Sequence, residues 1–233
     1  DTAAVLPRER AQASFDVEKL SQIILGDKSL TDKQDEWREL FQNDSLFDNK
    51  DDMFDGLPEK YIKYLKRALK SYDIVSRNKE LLAKHSPLHG GNPGTQSIAS
   101  ISENHSSIGT HYGLFVPTIM SAATPEQQRE WLLRSVHLKI VGCYAQTELG
   151  HGSNVRGLET LATFDQASDE FEIHSPTLTS TKWWISGAGV TATHAIVYAR
   201  LILKGKDHGY HAFVVQLRDE NHQPMSGVTV GHL

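Results

Sequence analysis

The chain is poor in the features that usually announce a chemistry. It holds one cysteine, Cys143, which excludes an internal disulfide and a thiolate metal site and fits a reducing compartment or one indifferent to thiols. No run of about 18 or more apolar residues occurs, so no membrane-spanning helix is expected. The opening, DTAAVLPRERAQASFD, lacks the basic flank and apolar centre of a secretory leader. Charge of one sign is scarce as well: 24 Lys and Arg stand against 29 Asp and Glu, a formal net charge of -5. That balance leaves no basic footprint for nucleic acid. Twelve histidines are present, yet none falls in a His-Glu-x-x-His or zinc-type Cys/His spacing, and no metal is expected. Neither a P-loop nor a Gly-x-Ser-x-Gly elbow occurs.

What is present is an ordinary globular composition, 39% hydrophobic and 23% charged over 233 residues, enough for a core without a metal or disulfide staple. The first 137 residues carry helical periodicity. Val17, Leu20, Ile23 and Ile24 share one face, with Ser14 or Asp16 as cap and Gly26 as stop. Trp37, Leu40 and Phe41 repeat the pattern, and Ile62, Leu65, Leu69 and Ile74 mark a long helix running from Leu57 towards His85. The stretch SPLHGGNPG (Ser86–Gly94) predicts a turn, and TQSIASISENHSS another helix. Thr124, Pro125 and Gln127 spell a capping box with proline in the first turn. The acidic run Asp48–Asp55 reads as a solvated loop.

From Leu138 the period changes. LKIVGCYAQT, ETLATFD, EFEIHSP, HAIVYARLIL and HAFVVQLRD are short, β-branched or alternating, and broken by turn residues. A helical half followed by a run of strands predicts an α+β chain of two domains, helical over 1–137 and β over 138–233.

Two stretches of the β half invite a ligand. CYAQTELGHGS (Cys143–Ser153) ends in a loop that Gly150 and Gly152 allow to turn closely. TKWWISGAG (Thr181–Gly189) pairs two indoles; on a strand, Trp183 and Trp184 would point to opposite faces, so they cannot both enter one core. One indole is then available as a wall for a planar cofactor, with the Ser186 hydroxyl and the Gly187 backbone as hydrogen-bond donors. Two large hydrophobes of a sandwich would satisfy the same pattern. Gly187-Ala-Gly189-Val-Thr-Ala192 also fits a dinucleotide fingerprint, but that motif needs a helix next, and TATHAIVYARLIL reads as a strand.

Together HYGLFVPTI (His111–Ile119), YAQTELGHGSNVRGLET, FEIHSPTLTSTKWWISGAG, HAIVYARLI, GYHAFVVQLRD and GVTVG resemble, in order and spacing, the acyl-CoA oxidases, FAD enzymes of peroxisomal β-oxidation related to the acyl-CoA dehydrogenases. The dehydrogenases typically carry Thr-Glu-Pro-x-x-Gly-Ser and a single-tryptophan Trp-Ile-Thr-Asn. Here Leu149 replaces the proline, His151 precedes Gly152 and a second tryptophan is present, which favours the oxidase branch. The resemblance implies a helical domain followed by an antiparallel barrel- or sandwich-like β domain, here incomplete. It implies FAD, with Thr147 and Gln146 in the loop that meets the flavin, Trp184 beside the ring, and Ser186 and Gly187 at its pyrimidine side. Ser153 matches the hydroxyl near the acyl-CoA thioester arm. The implied reaction is α,β-desaturation of a fatty acyl-CoA to the trans-2-enoyl-CoA, with O2 reduced to hydrogen peroxide, in a peroxisomal homodimer.

The family's glutamate base belongs to a C-terminal helical part expected beyond Leu233, so no catalytic residue is assigned here. Glu148 belongs to the loop and is not that base. The expected chain is one piece of a longer oxidase; the alternative is a non-catalytic short form that binds flavin or serves as a structural subunit. The final GHL resembles the Ser-Lys-Leu peroxisomal address only faintly.

Overall fold

The computed structural model describes residues 4–25, 28–78 and 107–231. Two compact units divide the chain, Asp1–Asn104 and His105–Leu233.

The described part of the first unit is helical: α1 (Val5–Ala11), α2 (Val17–Leu25), α3 (Lys28–Gln42) and α4 (Leu57–Arg77). Of the two caps open for α2, Asp16 serves: its carboxylate accepts from the amides of Glu18 (3.0 Å) and Lys19 (3.1 Å). In α3 the i, i+4 pair Trp37 and Phe41 is fully buried, and Phe47 meets Phe41 edge-on at 5.1 Å. Periodicity misplaces the buried face of α4. Ile62 and Leu69 are exposed, whereas Arg67, Ala68 and Ser71 are buried. The acidic run is largely exposed, as expected, but Asp52 within it is buried. Arg67 donates to the carbonyls of Leu46 (2.6 Å) and Asp48 (2.7 Å) and is paired with buried Asp52. Lys63 adds a bond to Asp52 at 2.9 Å. A guanidinium with five donors finds enough acceptors there to be buried, and the charges that hydropathy assigns to solvent organise the interior. The predicted end of α4 beyond Asn78, the turn at 86–94 and the helix through 95–106 lie outside the described residues.

In the second unit α5 (Ser107–Thr110), a π-helical turn (His111–Phe115) and α6 (Val116–Ala122) run on continuously, followed by α7 (Pro125–Val136). The capping box of α7 forms as predicted: Thr124 Oγ1 accepts from the Gln127 amide (3.3 Å), and Gln127 Oε1 from the Thr124 amide (2.9 Å). Five strands follow: β1 (Gly142–Ala145), β2 (Leu161–Asp165), β3 (Glu170–His174), β4 (His194–Leu203) and β5 (Lys206–Gln216). The hairpin β4–β5 and the pair β2–β3 are antiparallel, as expected. The sheet as a whole is mixed, because β1 and β2 both lie parallel to β4. β5 takes one edge of β4 along its length, so β1, against His194–Val197, and β2, against Arg200–Ile202, share the other edge in succession. Their long connections to β4 permit the parallel sense that no hairpin can supply.

Alternation sorts the core into two faces. Ile196 joins Phe115, Val116, Ile119 and Ile140 on the helical side, with Tyr144 and Tyr198 packed against them. Ala195 and Val197 join Cys143, Ala145, Ala192 and Leu217 on the other, where Ile185 and Ala188 pack. The Cys143 thiol is buried there and pushed up to about 12, chiefly by desolvation. On the helical side His111 is fully buried; its Nε2 donates to the Ser135 carbonyl (2.9 Å), and its Nδ1 accepts from the Gly142 amide (2.8 Å). That bridge fixes the tautomer and sets the helices on β1. A Cβ on Gly142 would overlap the Phe115 ring, so glycine is required for this close approach.

Candidate functional site

Beyond Ala145 the chain leaves the sheet and runs beside a distant segment. The Trp183 amide donates to the Thr147 carbonyl (3.0 Å), Leu149 to Thr181 (2.8 Å) and Gly150 to Thr179 (2.9 Å). An antiparallel bridge joins Glu148 and Lys182. The two stretches singled out in the sequence, about thirty residues apart, are therefore adjacent. Gly150 is needed for their contact, since a Cβ there would stand 2.8 Å from the Thr179 side chain.

Under this ribbon lies a buried charge pair. Glu148 is 2% exposed. Its carboxylate accepts from the Glu159 amide (2.8 Å), the Thr160 amide (3.0 Å), the Thr160 hydroxyl (2.5 Å) and the Lys182 ammonium (3.0 Å). Burial pushes this acid up, but those donors outweigh it and hold it below the usual carboxylate value. Lys182 also donates to the carbonyls of Gln146 (3.1 Å) and Tyr198 (2.7 Å); burial draws it below the usual lysine value, with Glu148 opposing. A carboxylate so occupied is no general base.

The indoles are not on a regular strand, and neither enters the core. Trp183 is 40% exposed and Trp184 82%. Alternation fails because regular pairing ends at Lys182 and Trp184 adopts a left-handed backbone, φ 62°, uncommon for a bulky residue. A turn follows directly. The Ala188 amide donates to the Ile185 carbonyl (3.1 Å), and Gly187, at φ 83°, accepts from the amides of Thr191 (3.0 Å) and Ala192 (2.9 Å). Buried Arg218 clamps the turn through the carbonyls of Ala188 (2.8 Å) and Ala192 (2.6 Å). Ser186 stands exposed at its tip, two residues from Trp184. The strand β4 follows where a dinucleotide fingerprint would require a helix.

Gln146 and Thr147 are half-buried beside this feature, the Gln146 Oε1 accepting from the Tyr144 hydroxyl at 2.9 Å. Ser153 lies apart, exposed beyond the tight loop in which Glu148 and His151 exchange backbone bonds of 3.0 and 3.1 Å. The structure thus brings the Gln146–Thr147 stretch beside Trp183, from which Trp184, Ser186 and Gly187 follow directly in the chain, while Ser153 lies on the loop after Glu148. Potential ligand atoms of Glu148, His151 and Glu159 come within 4.8 Å of one another. Both Glu148 oxygens are already engaged, and Lys182 supplies the positive charge a cation would bring. Sequence reasoning passed over Lys182 and Arg218. The one available signal for Lys182 was a cation set directly before two tryptophans.

The residues fit the flavin implied by the resemblance. An indole this exposed has its face free for a planar partner, and polar residues follow or adjoin its backbone: Ser186 and Gly187 two and three residues on, and Thr147 through its bond to the Trp183 amide.

Comparison with known proteins agrees. The family described as acyl-coenzyme A oxidase N-terminal matches residues 16–141, and the acyl-CoA dehydrogenase middle domain matches residues 143–233. The chain is similar to a peroxisomal acyl-coenzyme A oxidase of Arabidopsis thaliana, 39% identical over 98% of this chain and 33% of that protein. The crystal structure of an acyl-CoA oxidase from tomato superposes with a TM-score of 0.85 at 40% identity, over 98% of this chain and 34% of that one. An acyl-CoA oxidase of Caenorhabditis elegans, solved with FAD, ascaroside-CoA and ATP, superposes at 0.72 with 35% identity, over 97% of this chain and 34% of that one. The chain spans about a third of the length of these relatives.

Proposed function

The chain belongs to the acyl-CoA oxidase family, and on that premise we propose that it is the helical and β-domain part of an FAD-dependent oxidase of fatty acyl-CoA. The observation that carries this reading is the exposed, left-handed Trp184, hung from the Trp183–Thr147 hydrogen bond beside Gln146, Ser186 and Gly187. Trp184 walls the flavin ring, and Thr147 and Gln146 border it from the strand end. Ser186 and the Gly187 amide offer hydrogen bonds to its polar edge, and Ser153 faces the thioester arm of the substrate. Bound FAD supplies the two-electron acceptor for converting an acyl-CoA to its trans-2-enoyl-CoA, with O2 as final oxidant and hydrogen peroxide as product. The chain's own residues bind and orient; the base that removes the α-proton is assigned to the C-terminal part of the family. Residues 1–137 then form the helical domain and 138–233 the flavin-facing one, within a peroxisomal homodimer.

The test is the full-length protein, purified and mixed with a fatty acyl-CoA without oxygen. The reading expects a yellow protein whose visible flavin band bleaches, and hydrogen peroxide when air is admitted. A colourless protein that takes up no FAD overturns it.

A further inference from the structure

Lys182 occupies a largely buried place where a charge is costly unless it is fully paired. Its ammonium carries three protons, and all three are used, on the Gln146 carbonyl (3.1 Å), Glu148 Oε1 (3.0 Å) and the Tyr198 carbonyl (2.7 Å). Those acceptors belong to the end of β1, to the loop after it and to the middle of β4. Glu148 is in turn anchored to residues 159 and 160 by three further bonds, and the Thr160 carbonyl accepts from the Arg200 amide of β4 at 2.8 Å. The pair therefore ties the ribbon of 146–149 and 181–184 to the rigid centre of the sheet.

Trp184 has no such support of its own. At 82% exposure its ring gains little placement from packing, and its direction is set by its backbone. That backbone is held on one side by the turn at 185–188 and on the other by Lys182 and the Trp183–Thr147 bond. We propose that Lys182, neutralised by Glu148, is a positioning residue for the cofactor face: it keeps the Gln146–Thr147 strand end and the Trp183–Ser186 segment in one register. The inference rests on the flavin reading above and adds the group that aligns its two halves. An arginine does not replace it, because a planar fork does not direct donors at three converging acceptors as an ammonium does.

The test uses the full-length protein and the variants Lys182→Met, Lys182→Arg and the double variant Glu148→Gln/Lys182→Met, which leaves no lone buried charge. FAD affinity is read by flavin fluorescence, the flavin environment by its visible spectrum, and loop register by amide hydrogen exchange of the FAD-free protein. In the double variant FAD binding is expected to weaken about tenfold or more, the scale of one charged hydrogen bond. Its visible spectrum should shift towards that of free FAD. Amides of 147–150 and 181–184 should exchange faster while those between β4 and β5 keep their protection. Lys182→Arg should retain the weakened binding. A folded double variant with parental FAD affinity, spectrum and exchange overturns the proposal. If the parent protein itself takes up no FAD, the flavin reading fails separately; the exchange of 147–150 and 181–184 then decides alone whether Lys182 holds the two segments together.

Discussion

Among the described residues each unit holds a buried ion pair, Arg67–Asp52 in the first and Lys182–Glu148 in the second, and the two are built alike in different surroundings. In the first unit Arg67 gathers the carbonyls of Leu46 and Asp48 against Asp52. In the second, Lys182 gathers those of Gln146 and Tyr198 against Glu148. Both use a cation to bind backbone carbonyls of segments far apart in the chain as well as a carboxylate. Around Arg67 stand short turns and the interior of α4. Around Lys182 stands a ribbon that ends in an exposed indole. The same device is a staple in one place and a support for a site in the other; its surroundings, not its chemistry, tell the two apart.

The largest effect expected from breaking this parallel is on the first pair. Arg67→Met should lower stability by about 3 kcal/mol, the low end for a broken buried pair because Lys63 still faces Asp52. Denaturant unfolding measures the loss. Hydrogen exchange at 147–150 and 181–184 should stay as in the parent, and faster exchange there would erase the distinction between staple and support.

Next comes the contact that seats helices on the sheet. Gly142→Ala should cost about 1–3 kcal/mol, because Phe115 must move to admit the methyl group. Thermal unfolding registers it, and an unchanged midpoint would show that the ring yields freely.

A further effect is a dependence on pH that comes from two histidines of the second unit. Burial lowers His194 from 6.5 to about 4, with Arg134 adding repulsion, and burial lowers His111 as well, against the Ser135 bond. A depressed histidine binds its proton more readily in the unfolded chain. Stability is therefore full above pH 6.5 and falls as pH drops from 6.5 towards about 4. Replacing His194 by Gln should flatten that slope in melting midpoints measured across the window. A slope unchanged by the substitution would remove His194 as its source.

The smallest effect on stability, with the sharpest one on binding, belongs to Trp184→Ala. At 82% exposure the indole should contribute no more than about 0.5 kcal/mol to folding, yet its loss should strip the flavin. Unfolding curves beside FAD titrations separate the two.

Much of this was legible locally. The capping box at Thr124 and Gln127, the change of period near Leu138 and the strands from Leu161 onward are contained in windows of a few residues, where propensity and alternation act. What was not legible depends on partners distant in the chain. Asp52, inside the acidic run, read as solvated because hydropathy prices a charge without its partner, here Arg67. Strand alternation placed Trp183 and Trp184 on opposite faces; it is undone where pairing with 147–150 ends, by the left-handed Trp184 and by a turn that Arg218 holds from 30 residues away. The parallel sense of β1 and β2 against β4 is likewise settled by which edge is free, not by either strand's own sequence. The role of Lys182 needs Glu148, 34 residues before it, and Tyr198, 16 residues after it.

The account stands on the cofactor face, and the most direct test of it is FAD binding by the full-length protein with and without the Trp184 ring. A folded Trp184→Ala variant that loses FAD, beside a parent that binds it and bleaches with acyl-CoA, is the expected result. A variant that binds FAD as tightly as the parent would mean that the flavin does not lie against Trp184, and the site would have to be sought elsewhere.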